Sequence, residues 1–240
     1  MLLRSKPSRR WSLLSVLLVA GVLAAGTGAA LASLRTFTPA EAVAAATAIS
    51  IRHADVPKLK QRSNPMTAKE AVQNAQLTAC IGGVPDSEAL ANTQSPSFVS
   101  SSGVSVTLSS GTEILPSAAL VAKDLAAVRG PHGLPCILKQ LRGELVGKPP
   151  KGETVTGYAS RLAPVVSGAE SEFADRFTVV VTVVRKTTTL ILPLYVDVVG
   201  FAYGQAEISL TVEAVGSKPS VALEHRLATL LLARARTAIG

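Results

Sequence analysis

The chain has 240 residues, 48% of them hydrophobic and 17% charged, with a mean hydropathy of +0.36 and a formal net charge of +8. That balance excludes a disordered chain, which has too little apolar surface to bury, and a multi-span membrane protein, which carries far fewer charges. The positive charge is concentrated at one end: nine of the 24 basic residues precede position 65, against Glu41 and Asp55, which leaves 15 basic and 14 acidic residues beyond it. A nucleic-acid partner is therefore not expected, because phosphate recognition needs clustered basic charge on the folded part and the 4% of aromatics offer few stacking platforms.

Residues 1–10 contain Arg4, Lys6, Arg9 and Arg10 and no acid, and residues 11–32 (WSLLSVLLVAGVLAAGTGAALA) carry no charge. A basic start holds the end on the cytoplasmic side while the apolar run enters the bilayer, so this reads as an export signal. Ala30 and Ala32 place small residues at −3 and −1 of a cleavage point before Ser33. The run would span about 33 Å as a helix, so it is either removed after Ala32 or kept as a membrane anchor. The rest of the chain is expected to be extracytoplasmic, secreted or anchored by this helix, with contact to the membrane through the N-terminal segment if it stays uncleaved. Paired arginines at 9 and 10 partly resemble a twin-arginine signal, though ordinary leaders share them. No cysteine lies near the cleavage point for lipid attachment.

Cys80 and Cys136 are the only cysteines. An exported domain meets an oxidising environment, so a single disulfide is the default reading, with two separate buried thiols as the alternative. Zinc would need about four ligands at short local spacing, and the sequence offers none; no metal site and no cofactor are expected.

In chain order, Thr38-Pro39-Ala40-Glu41 is a capping box with proline at the first helical position, which predicts a helix over 39–51. Residues 53–65 are polar and basic with two prolines and read as loop, with a short strand around 58–61. Thr67 and Glu70 repeat the capping box and open a helix that should stop at Gly82-Gly83 with Cys80 in its last turn. Val104, Val106 and Leu108 alternate with Ser105, Thr107 and Ser109, the pattern of a half-buried strand. Pro116-Ser117 caps a helix bearing Leu120, Val121, Leu125 and Val128, ended by Gly130-Pro131. Another helix starts near Leu134-Pro135, carries Cys136, Ile137, Leu138, Leu141 and Leu145, and stops before Gly147-Lys148-Pro149-Pro150. A bridge from Cys80 to Cys136 would pin two helix ends together.

The second half reads as strand: 154–164, 173–184, 190–201 and 206–215. Turns at 185–187 and 203–205 join the last three into an antiparallel meander. Lys218-Pro219 opens a terminal helix with Leu223, Leu227, Leu230 and Leu231 on one stripe, and the strand face bearing Ile208, Leu210 and Val212 is the nearest candidate to bury it. The expected fold class is thus α+β: a two-layer arrangement of an antiparallel sheet packed against several helices, forming a single extracytoplasmic domain over 38–240 that follows the leader at 1–32.

The sequence of a helix ending Ala79-Cys80-Ile81-Gly82-Gly83, then Leu134-Pro135-Cys136, the run 194–200 (LYVDVVG), the strand 207–211 (EISLT) and a leucine-rich last helix resembles a group of exported actinobacterial domains. These are similar to the extracellular sensor domain of PknH-type serine/threonine kinases and, more distantly, to PsbP-like lipoproteins. The resemblance covers roughly residues 38–240. It implies an envelope domain with a small-ligand cleft or a binding surface, and one bridge where the kinase version has two.

No catalytic residues are expected. His53, His132 and His225 are the only histidines; the first follows a helix end, the second sits in a Gly-Pro-His-Gly turn, and the third lies roughly opposite the leucine stripe, on the solvent side. Residues 143–148 (GELVGK) lack the spacing and the hydroxyl residue of a phosphate-binding loop. Asp197 stands out in the apolar run 190–201, where a buried unpaired carboxylate costs several kcal/mol. Either it faces solvent or pairs with a cross-strand cation such as Arg176 or Arg185, or it joins Tyr195, Phe201 and Tyr203 in a partly apolar, partly acidic ligand surface. The expected role is a non-enzymatic cell-envelope domain that binds or senses a ligand or partner. The alternative is a structural or interaction protein of the cell surface with no small-molecule site.

Overall fold

A computed structural model describes residues 36–100, 105–146, 153–185 and 188–240. The leader at 1–32, Val104, the helix stop at 147–150 and the turn residues 186–187 lie outside them.

Local signals set the helices. Helix α1 (Pro39–Ile49) and helix α2 (Ala68–Ile81) both start with complete capping boxes, in which Thr38 and Thr67 accept from the backbone N–H of Glu41 and Glu70 and the glutamates reach back. These reciprocal bonds satisfy amides that the helix cannot pair itself. Gly82 ends α2 in the left-handed region, at φ 83°, where a side chain would be strained. Helix α3 (Ala118–Arg129) is capped by Ser117, helix α4 spans Gly133–Val146, and helix α5 (Val221–Ile239) is capped by Ser220.

Among the described residues the strands form one antiparallel sheet of eight: β1 (Lys60–Arg62), β2 (Ala91–Gln94), β3 (Ser97–Val99), β4 (Val106–Ile114), β5 (Glu153–Arg161), β6 (Ser171–Arg185), β7 (Thr188–Tyr203) and β8 (Ala206–Val215). The order is β1-β3-β4-β8-β7-β6-β5, with β2 also on β4. The expected meander is therefore present and extends to β5. Strands β2 and β3, which the sequence reading leaves as loop, lie end to end along β4 and are interrupted at Pro96. There the Ser95 hydroxyl accepts the Ser110 N–H at 2.9 Å while the Ser95 N–H donates to the Ser110 carbonyl at 2.8 Å, so a side chain bridges the break.

Leu227 and Leu231 of the expected α5 stripe share one core with Ile208, Leu210 and Val212 and with Ala42, Ala46 and Ile49 of α1, and Leu223 packs against it partly buried; Leu232, not Leu230, completes the buried face. The other sheet face is covered too: Leu77 and Ile81 of α2, Val121, Leu125 and Val128 of α3, and Ile137 and Leu141 of α4 meet Phe177, Val179, Val196 and Val198. Helices thus lie on both sides of the sheet, one layer more than the terminal helix alone supplies. This changes the reading of β4 as half-buried. Its Ser109 and Glu113, and Glu207, Ser209 and Thr211 on β8, are buried under the second helical layer.

Cys80 and Cys136 form a disulfide joining the end of α2 to α4, closing a sequence separation of 56. The bond is compatible with an extracytoplasmic location. No helix of the described residues is long and apolar enough to cross a membrane.

Candidate functional site

The proposed ligand surface around Asp197 is built differently from a surface. Asp197 on β7 faces Arg176 on β6 in direct register. The guanidinium donates from Nε to Oδ1 at 2.7 Å and from Nη2 to Oδ2, so the carboxylate is held in a two-point grip with no exposed surface. Glu224 of α5 is buried beside this pair, and its carboxyl is pushed up by burial and by the adjacent Asp197. Phe201 is fully buried in the core beneath α5, whereas Tyr195 and Tyr203 are half-buried. Of the four residues, then, two are interior, and the acid is neutralised by the cross-strand arginine that the sequence offered as one of its partners.

An open concavity lies elsewhere, where the C-terminus of α1 meets β1 and the β2–β3 break. It is a cleft of about 290 Å³. Its walls include Thr47, Arg52, His53, Gln61, Thr93 and Gln94, with Phe98 at its apolar side. Several local contacts shape it. The Ile51 N–H donates to the Ser110 hydroxyl at 3.0 Å and ties the end of α1 to the sheet. Arg52 Nη2 donates to the Ala48 carbonyl at 2.8 Å, closing the last turn of α1. His53 Nε2 donates to the Leu59 carbonyl at 3.1 Å, which orients the ring. Among the described residues, no acid lines the cleft. The nearby Asp55 carboxylate is taken by Arg234 of α5, with two bonds of 2.8 Å, and by the Arg52 N–H at 2.8 Å. Burial raises the Asp55 carboxyl, but these donors outweigh it and hold it below the usual range. The cleft therefore presents hydroxyl, amide and cationic groups. His132 and His225 are exposed and lie outside it.

The structure also assembles acids that the sequence reading did not connect. Glu113 on β4 stands directly opposite Glu207 on β8, and Asp124 of α3 lies over both. All three are buried, and one carboxylate oxygen from each lies within 4.8 Å of the others. Burial pushes Glu113 up to about 8, helped by Asp86 and Asp124, and pushes Asp124 up to about 7 against the Val84 N–H that donates to it. Glu207 is raised well above its ordinary value by burial, then by Asp124 and Glu113. This is the set of residues in the described chain able to hold a metal. The one signal in the sequence is Glu113 in β4 and Glu207 in β8, a strand that also carries Glu213, in segments otherwise made of small, hydroxyl-bearing and apolar residues.

No protein-family model, curated protein or solved structure matches this chain.

Proposed function

We propose that the chain is an exported, non-enzymatic cell-envelope domain that binds a small polar ligand, neutral or anionic, in the cleft between the end of α1 and β1–β3. The observation that carries this reading is the cleft itself. It is concave, it gathers hydroxyl and amide groups with Arg52 and His53, and among the described residues it contains no acid to repel an anion. Its volume of about 290 Å³ suits a small molecule, not a peptide or a large cofactor. The apolar run at 11–32 behind a basic start, and the single disulfide, support export. A non-enzymatic role is supported by the state of His53, whose Nε2 is used by a backbone carbonyl, while Asp55, two residues on, is committed to Arg234.

Native mass spectrometry of the protein purified from the envelope fraction under non-reducing conditions tests this. A small-molecule adduct is expected on the wild type. Thr47→Trp should abolish it, because position 47 is exposed on α1 and the indole fills the cleft without touching the core.

A second reading, a surface interaction protein, has its own support. The β6–β7 hairpin runs on past β8, which pairs β7 only from Leu194. Val184, Leu190 and Ile191 are exposed on that extension, with Tyr158 on β5. An adduct-free wild type that co-purifies a protein lost on Ile191→Lys would favour it over the cleft.

A further inference from the structure

Strand pairing places Glu113 of β4 and Glu207 of β8 side by side, an arrangement that is unfavourable between like charges even on an exposed sheet. Here both are buried, and α3 adds the fully buried Asp124. None of the ion pairs among the described residues involves these three acids. Lys123, next to Asp124 on α3, is the cation that acts on the group.

A second observation concerns the oxygens. Both carboxylate oxygens of Glu113, Oδ2 of Asp124 and Oε2 of Glu207 are buried with no hydrogen-bond partner. Each such oxygen carries the full cost of its lost hydration, and more if ionised. A core that needed only packing would be better served by apolar side chains at these positions. Three nearly inaccessible acids from three elements, each with an unpartnered oxygen, instead bring one carboxylate oxygen apiece within 4.8 Å of the others.

The spacing suits a particular occupant. Two oxygens bound to one calcium ion, at about 2.3–2.6 Å each, are at most about 5 Å apart, and calcium accepts a shell of protein oxygens, whereas magnesium dehydrates reluctantly and usually keeps several waters. Here the oxygens lie within 4.8 Å of one another. An all-carboxylate set selects a hard cation, not zinc or copper. Asp86, half-buried in the loop after α2, acts on Glu113 and Asp124 from the outer side and also has an unpartnered oxygen. It lies outside the set whose oxygens meet within 4.8 Å and marks the outer edge of the cluster.

We propose that Glu113, Asp124 and Glu207 form a buried site for a calcium-sized divalent cation, with Asp86 at its outer edge. The ion would tie α3 and the loop after α2 to the β4–β8 pair, on the opposite face of the sheet from the cleft. The site is independent of the cleft's function.

Calcium titration of the chelator-treated full chain at pH 7.5, by calorimetry and thermal unfolding, tests the site. Saturable binding of one ion per chain is expected, with at least 10-fold weaker magnesium binding. At about 100 times the Kd the Tm should rise by about 5–10 °C. Glu113→Gln and Glu207→Gln reproduce the shape of the neutral acids, so both should fold, and each should lose calcium binding and the Tm response. Glu88→Gln, exposed in the same loop, should keep both. Absence of saturable binding to the wild type, with an unchanged Tm, would overturn the proposal and leave a cluster that holds protons only. Calcium binding retained in both the Glu113 and Glu207 variants would overturn the location.

Discussion

At the scale of single residues, the interior of this protein is notable for acids whose charge is not fully answered. Asp175 on β6 is almost inaccessible, and neither of its oxygens has a hydrogen-bond partner. Arg161 across the strand is 4.0 Å away and turns its Nη2 to the Arg129 carbonyl at 2.7 Å. Burial therefore wins over the Arg161 charge and pushes the Asp175 carboxyl up to about 6. A folded carboxyl that holds its proton more tightly than the unfolded one lowers stability as pH rises from about 4 through about 6. Asp175→Asn keeps the shape of the protonated form. It should gain about 2 kcal/mol at pH 7.5 and nothing near pH 4, read from urea unfolding at the two pH values. Equal stability at pH 7.5 would mean that the carboxylate is solvated in a way this geometry does not provide. Asp197 is the contrasting case, since Arg176 meets both of its oxygens.

At the scale of elements, α5 is joined to the turn after α1 by the two-point Asp55–Arg234 pair, and Arg234 also donates to the Ser50 carbonyl at 2.9 Å. Because the folded Asp55 carboxyl lies below its ordinary value, its contribution is complete above the unfolded pKa of about 4 and is lost as pH falls through the folded value. Asp55→Asn should cost about 1–2 kcal/mol at pH 7, and the difference from wild type should vanish at the acid end of the titration. Equilibrium unfolding followed by circular dichroism from pH 7 downward checks both parts. A pH-independent difference would assign the loss to packing. The strands teach a different lesson at this scale. The alternation in β4 and β8 is plain in the sequence, but its polar side meets α3 and not water, so alternation alone misjudges burial where a second helical layer exists.

At the scale of the whole molecule, the two helical layers are held by different means. Helices α1 and α5 share one apolar cluster with the sheet, while the layer of α2, α3 and α4 also has the Cys80–Cys136 crosslink between α2 and α4. Closing a separation of 56 residues restricts the unfolded chain, which in the loop-entropy model corresponds to about 4 kcal/mol. Replacing both cysteines by alanine should lower the urea midpoint by a matching amount without altering the far-ultraviolet spectrum, because the core contacts of both layers remain. An unchanged midpoint would show that the reduced chain keeps these helices together without the bond.

Much of the fold was legible because its signals are local. Thr38 with Glu41 and Thr67 with Glu70 mark helix starts through bonds that span three residues, Gly82 marks an end, and β8 follows from a period of two over its ten residues. The α5 stripe likewise named its partner, since only an apolar sheet face could bury it. What the sequence alone could not decide was which distant residues meet. Strand register sets Glu113 against Glu207 and Arg176 against Asp197, helix packing brings Asp124 over the first pair, and a broken strand beside α1 opens the cleft. Those juxtapositions arise from contacts between positions tens of residues apart, where neither periodicity nor local hydrogen bonding carries information.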